Sequence, residues 1–130
     1  MALFDTKIAN QLADVIATDG SEVRVLCATK RGAMAVFTLA PGGVAKAVAH
    51  RTVEEIWVVL RGRGRMWRKS GEREEVTELA AGTSLSIPVG THFQFRNDGE
   101  GPLEAVAATM PPWPGDGEAY IVSGKWKPTV

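Results

Sequence analysis

A histidine and a glutamate stand five residues apart near the middle of this 130-residue chain, at His50 and Glu55. An imidazole beside a carboxylate can serve as a general acid or base near neutral pH, because the carboxylate orients the ring and tunes its proton affinity. We take His50 and Glu55 as the candidate catalytic residues. Two alternatives stay open: a structural pair without turnover, and a divalent metal site completed by His92.

Glycine, proline and asparagine frame these groups at fixed intervals. The first motif runs Gly42, Val48, His50, Glu55, Gly62, and the second runs Gly82, Pro88, Gly90, Phe93, Asn97. This spacing resembles that of the cupin superfamily of small β-barrels, whose two motifs carry three histidines and a glutamate as metal ligands. The resemblance implies a cupin-like double-stranded β-helix, or jelly-roll barrel, with a small-molecule site in its mouth.

Two of the four ligand positions that the resemblance implies are occupied by side chains that cannot bind a metal. Val48 and Phe93 stand where the superfamily has histidines. His92 is adjacent to one of these positions, but successive residues of a strand face opposite sides of the sheet. We therefore expect no cofactor or a weakly bound divalent metal, held if at all by His50, Glu55 and His92.

The same alternation predicts what lines the barrel. If Phe93 points inward, Phe95 does too, and His92 points away from the cavity. If the loop before His92 is rearranged, His92 points inward and both phenylalanines point away. Burial of two large apolar rings favours the first arrangement. The predicted ligand-binding residues are those expected to face the lumen: Val48, Trp57, Phe93 and Phe95.

Three functions are compatible with this set. The first is an enzyme, of the isomerase or epimerase type that the resemblance suggests, acting on a small molecule through His50 and Glu55. The second is a non-catalytic module that binds a small ligand in the aromatic lumen, and a metal-dependent enzyme rescued by His92 is a variant of the first. The third is an interaction protein whose barrel is filled with side chains.

The elements that must position these residues are mostly strands. Nine strand-length segments between residues 22 and 110 are separated by glycine- and proline-containing turns, which favours a single all-β domain. Residues 21–110 form the predicted barrel. Ile8, Leu12, Val15 and Ile16 recur at helical spacing before Asp19-Gly20, so residues 1–20 are predicted to form a short helical segment. Residues 111–130, with two tryptophans, are predicted to be an arm that packs on the barrel or on a neighbouring subunit.

Composition excludes several classes of partner. Fifteen basic and fifteen acidic residues leave no net charge, and the chain has no 20-residue apolar run, so we expect neither nucleic-acid nor membrane binding. The single cysteine, Cys27, and the absence of a signal-like N-terminus predict a cytoplasmic protein. The partners we expect are a small-molecule ligand and, as the resemblance implies, a second copy of the chain in a homodimer.

Overall fold

The computed structural model of the protein describes residues 3–130. Within that range the chain forms eleven strands and no helix. The strands are β1 (Val15–Ile16), β2 (Glu22–Ala28), β3 (Ala33–Leu39), β4 (Val48–His50), β5 (Glu54–Arg61), β6 (Gly64–Ser70), β7 (Arg73–Leu79), β8 (Ser84–Ile87), β9 (His92–Asn97), β10 (Leu103–Met110) and β11 (Ala119–Ile121). The all-β prediction is confirmed, and each of the nine predicted strand segments contains one of these strands.

The strands form two antiparallel sheets that face each other. One sheet has the order β1-β2-β3-β10-β5-β8 and the other the order β11-β4-β9-β6-β7. Strands that are neighbours in the chain often lie in different sheets, as β4 and β5 do, so the connection after His50 crosses from one layer to the other. This crossing places the two candidate catalytic residues on facing walls of one barrel.

The core lies between the two sheets, because alternate residues of each strand point inward. Its largest members come from both layers: Leu39, Trp57, Val59, Met66, Leu79, Ile87, Phe93, Phe95 and Leu103. A close backbone approach at the turn between β5 and β6 explains one glycine of the first motif. Gly62 has φ of +92°, and a Cβ there would collide with the carbonyl oxygen of Pro102, so only glycine fits.

The predicted N-terminal helix is wrong. Met1 and Ala2 of that segment lie outside the described residues, residues 3–14 form neither helix nor strand, and Val15–Ile16 form strand β1. Strand β2 holds the segment in this form, since Arg24 donates hydrogen bonds to the carbonyl oxygens of Asn10 and Gln11. A helix this short needs a surface on which to bury its apolar stripe, and the side chains of Ile8 and Leu12 are 91% and 82% exposed.

The C-terminal arm packs on its own barrel. Strand β11 pairs with β4, so that Ala119 lies opposite His50. Further along, Gln94 of β9 receives hydrogen bonds from the backbone amides of Lys125 and Trp126. The arm therefore extends one sheet and covers part of the barrel mouth. Residues 3–130 contain no helix that is long and apolar enough to cross a membrane.

Candidate functional site

His50 and Glu55 meet at the wall of a cavity of about 350 Å³ between the two sheets. His50 is the last residue of β4 and Glu55 the second residue of β5, and the loop between them carries the chain from one sheet to the other. Glu55 faces inward because it alternates with the exposed Glu54 and shares its face with Trp57. The residues around the cavity are Val15, Ile16, Ala17, Thr18, Asp19, Val23, Val25, Ala33, Met34, Ala35, Phe37, Val48, His50, Glu55, Trp57, Phe93, Thr109, Trp113, Gly115, Asp116 and Ala119.

The two candidate catalytic side chains are close without being hydrogen-bonded. His50 Nδ1 lies 3.8 Å from Glu55 Oε2, and the side chains are 5% and 2% exposed. The other carboxyl oxygen, Oε1, accepts a hydrogen bond of 2.7 Å from the indole Nε1 of Trp57. His50 Nδ1 is buried and has no hydrogen-bond partner among the described residues. A buried polar atom without a partner is rare in folded proteins, and it marks a place where a ligand group or water can bind.

Burial makes both groups favour their uncharged forms. It raises the pKa of Glu55 to about 7, against the hydrogen bond from Trp57 and in the same direction as the nearby Asp19. It lowers the pKa of His50, although the Glu118 carboxylate and the Val53 backbone oppose this shift. Near neutral pH the pair is therefore a largely neutral imidazole beside a carboxyl group close to its titration midpoint. Such a pair can accept a proton at one group and donate a proton from the other.

Aromatic rings form the walls around this pair. Phe37 and Trp57 stack with ring centroids 5.2 Å apart, while Phe93 approaches His50 edge-on at 5.3 Å. Trp113, from the arm, approaches the same imidazole edge-on at 5.0 Å. Rings arranged in this way exclude water from the imidazole and offer flat apolar surfaces to a bound molecule.

The donor set does not fit a transition metal. Val48 and Phe93, at two positions where the resemblance implies histidine, are both in the apolar core. His92 alternates with Phe93 along β9 and so lies on the opposite face of the sheet from the cavity. Among residues 3–130 no group of three histidine, cysteine, aspartate or glutamate side chains is arranged to hold a metal ion. We therefore derive no chemical step through a metal.

Glu118, which the sequence analysis did not identify, ties the arm to the loop that carries His50. Its carboxylate accepts hydrogen bonds from the Thr52 backbone amide at 2.7 Å, the Thr52 hydroxyl at 2.6 Å and the Val53 amide at 3.1 Å. Burial alone would raise the pKa of Glu118, but these bonds hold it below its ordinary value. A carboxylate fixed in this way keeps its negative charge close enough to oppose the lowering of the pKa of His50.

The structure brings most of the predicted site residues together. His50, Glu55, Val48, Trp57 and Phe93 all line the cavity. Phe95 lies behind the wall instead, with its ring centroid 5.0 Å from that of Trp57, and His92 is outside. Sequence reasoning did not identify most of the other lining residues, among them Asp19, Thr109, Trp113 and Asp116. Of these, only Trp113 carried a signal, since a tryptophan in a proline-rich segment is expected to pack against something.

The sequence model of the family described as Cupin domain matches residues 35–109, which is more than half of the chain. The matched segment begins in β3 and ends in β10, so it includes His50 and Glu55 but neither the N-terminal segment nor the arm.

Solved structures share the fold at low sequence identity. The capsular polysaccharide assembling protein CapF from Staphylococcus aureus is 20% identical, with a TM-score of 0.67 over 83% of this chain and 33% of that protein. A double-stranded β-helix protein from Klebsiella pneumoniae is 21% identical, with a TM-score of 0.64 over 81% of each chain. A tyrosine-to-phenylalanine variant of Streptomyces PAC13 with uridine is 14% identical, with a TM-score of 0.69 over 94% of this chain and 92% of that one. The chain thus spans about a third of CapF, and these likenesses show the fold alone.

Proposed function

The chain belongs to the cupin domain family, and on this premise we propose that its barrel binds a small organic molecule and moves protons on it through His50 and Glu55. The observation that supports this most is the buried imidazole and carboxyl pair, 3.8 Å apart, at the wall of a mostly apolar cavity. Burial makes both groups of this pair favour their uncharged forms, and such a pair is suited to acid–base chemistry at neutral pH.

The chemistry we propose is isomerisation or epimerisation next to a carbonyl group. The neutral His50 ring removes a proton from the carbon beside the carbonyl, and the protonated Glu55 donates its proton to the carbonyl oxygen. The product of this step is an enol, with His50 positively charged and Glu55 negatively charged. Return of a proton to the other carbon, or to the other face of the same carbon, restores both groups and releases an isomer. The Trp57 indole, bonded to Glu55 Oε1, stabilises the carboxylate while it is ionised.

A second candidate function is ligand binding without turnover. The aromatic walls from Phe37, Trp57, Phe93 and Trp113 favour it, because stacking and edge contacts hold a flat molecule without any chemistry. Streptomyces PAC13, a structure of the same fold, was solved with uridine. An uncharged nucleoside of that kind, whose base is flat, is a suitable first probe for this cavity.

Proton exchange separates the two functions. We expect the protein to catalyse exchange of carbon-bound hydrogen for deuterium in D₂O on one or more uncharged hydroxyketones and ketoses, followed by proton NMR. His50→Gln and Glu55→Gln should each reduce that rate about a hundredfold or more. His92→Gln and Glu54→Gln, which change side chains outside the cavity, should leave it unchanged. Binding of uridine or a test sugar without exchange would instead support the binding module.

We also propose that a second copy of the chain covers the N-terminal segment. Leu3, Phe4, Ile8 and Leu12 are each more than 80% exposed, and apolar surface of this extent is unusual on a monomer. Arg24 of β2 holds the chain at Asn10 and Gln11, and the exposed apolar side chains on either side of this point are suited to a symmetric contact between two copies. We expect a dimer in sedimentation equilibrium, and a monomer for the variant that combines Ile8→Glu with Leu12→Glu. A monomeric unchanged protein would contradict the proposal.

A further inference from the structure

The ionisable side chains around the cavity include several acids and no lysine or arginine. Three carboxyl groups line it, from Asp19, Glu55 and Asp116, and among the described lining residues there is no lysine or arginine. The chain has fifteen basic residues, so their absence from this wall is a property of the site and not of the composition.

Asp19 brings its carboxyl group close to the catalytic pair. Its Oδ1 accepts hydrogen bonds from the backbone amide and the hydroxyl of Ser21, at 2.9 and 2.6 Å. Asp19 is also one of the residues that line the cavity. Burial raises the pKa of Asp19, while the hydrogen bonds from Ser21 and the charge of Lys46 oppose this shift. Lys46 is not among the lining residues. An anionic ligand would therefore meet two carboxyl groups at this end and no compensating cation.

Five of the basic side chains form ion pairs or line a different cavity. Arg65 and Arg96 bind Asp98 at 2.7 and 2.8 Å. Arg68 and Arg73 line a different cavity, together with Lys69. None of these groups is part of the wall around His50.

From these observations we propose that the cavity selects ring-bearing molecules whose polar end is uncharged or positively charged, and rejects those that end in a carboxylate or a phosphate. The inference rests on the proposed function, because it assumes that this cavity is where the ligand binds. In a poorly solvated site a ligand anion beside protein carboxylates has lost its hydration without gaining a partner. A cation is attracted by the same carboxylates and by the faces of aromatic rings. His50 Nδ1, buried and without a partner, adds a neutral group that can hydrogen-bond the ligand.

A cysteine placed in the wall tests this without knowledge of the ligand. Ala35 lines the cavity and is partly exposed, so Ala35→Cys in a Cys27→Ser background gives one thiol at the site. Its reaction rates are measured with methyl methanethiosulfonate and with the trimethylammonium-ethyl and sulfonatoethyl analogues, and each is divided by the rate for free 2-mercaptoethanol. We expect the ratio of the positive to the negative reagent to be about tenfold or more above that of the free thiol.

Two charge variants complete the experiment. Asp116→Lys, at an exposed position of the cavity rim, should lower the ratio several-fold, whereas Glu100→Lys, the same charge change at an exposed position outside the lining, should not. A ratio equal to that of the free thiol, with rapid reaction of the neutral reagent, would overturn the charge selectivity and leave the ligand cavity standing. Failure of even the neutral reagent to react would overturn both this inference and the proposed function, because the cavity would then be closed.

Discussion

Glu55→Gln protein is expected to have a free energy of unfolding about 3 kcal/mol higher than that of the unchanged protein at pH 8, and nearly the same value at pH 4. The reason is the burial of the Glu55 carboxyl group, which raises its pKa to about 7 in the folded protein from the 4.5 of an ordinary glutamate. Glutamine removes the charge without removing the contact, because its side-chain oxygen can still accept the hydrogen bond from Trp57 Nε1.

The direction follows from where the proton is bound. Between pH 4.5 and 7 the folded protein keeps the proton on Glu55 while the unfolded chain has released it, so each rise in pH over this range favours the unfolded chain. The stability that Glu55 contributes is complete below pH 4.5 and lost by about pH 7. His50 acts in the opposite sense, because burial lowers its pKa. The stability that His50 contributes is therefore lost as the pH falls below the pKa of an ordinary histidine. Both proteins contain His50, so its contribution cancels when the free energy of unfolding of the unchanged protein is subtracted from that of Glu55→Gln. The contribution of the Glu55 carboxyl group remains.

Urea unfolding at half-unit intervals from pH 4 to 8 measures this difference. Glu54→Gln is the matched control, because Glu54 is the preceding residue and is exposed on the opposite face of β5. Its stability curve should run parallel to that of the unchanged protein. Parallel curves for Glu55→Gln as well would mean that the Glu55 carboxyl titrates as an ordinary glutamate, and the neutral acid–base pair in the proposed function would be wrong.

The relation between this sequence and its fold is clearest where strands alternate. Turn residues mark the strand boundaries, and the period of two places Glu55 and Trp57 on one face of β5. The same period left two arrangements of Phe93 and His92, and the burial of two apolar rings favoured Phe93 inward, as the structure has it. These features are local, because each depends only on a residue and its near neighbours in the chain.

What the sequence did not predict depends on contacts between distant segments. Glu118 accepts bonds from Thr52, 66 residues earlier, and no spacing rule links an arm to a loop at that separation. The predicted N-terminal helix failed for a related reason: the periodicity of Ile8 and Leu12 was real, but no surface of the barrel is there to bury it. Local sequence patterns limit which secondary structure a segment can adopt, and contacts with the rest of the chain determine which one forms.

The arm depends on one buried side chain, Gln94, which is 1% exposed. Its Nε2 donates to the carbonyl oxygens of Ala45 and Trp126, both at 2.8 Å. Its Oε1 accepts from the backbone amides of Lys125 and Trp126, both at 2.9 Å. These four bonds use both N–H donors and both acceptor positions of the Gln94 side-chain amide, and all four partners are backbone groups. Gly124 contacts it so closely that a Cβ there would have no room beside Gln94 Oε1.

Gln94→Leu is therefore expected to lower the free energy of unfolding by about 3–5 kcal/mol, since it keeps the volume but leaves four backbone groups without partners. A loss of that size is a large fraction of the stability of an ordinary domain. Release of the arm should follow, because β11 and the Glu118 bonds belong to the same segment. Urea unfolding measures the first effect, and the rate of tryptic cleavage after Lys125 measures the second.

Gln11→Leu is the matched control, since Gln11 is exposed and only its backbone carbonyl is bonded, to Arg24. It should change neither stability nor cleavage. If Gln94→Leu left the unfolding midpoint and the cleavage rate unchanged, the arm would be held by its other contacts, such as Trp126 beside Arg65 and Arg96. If both values change, Trp113 should also leave His50, because Trp113 reaches the imidazole only while the arm is in place. Loss of ligand binding in Gln94→Leu protein, at a pH where it is still folded, would then place the arm in the function of the barrel.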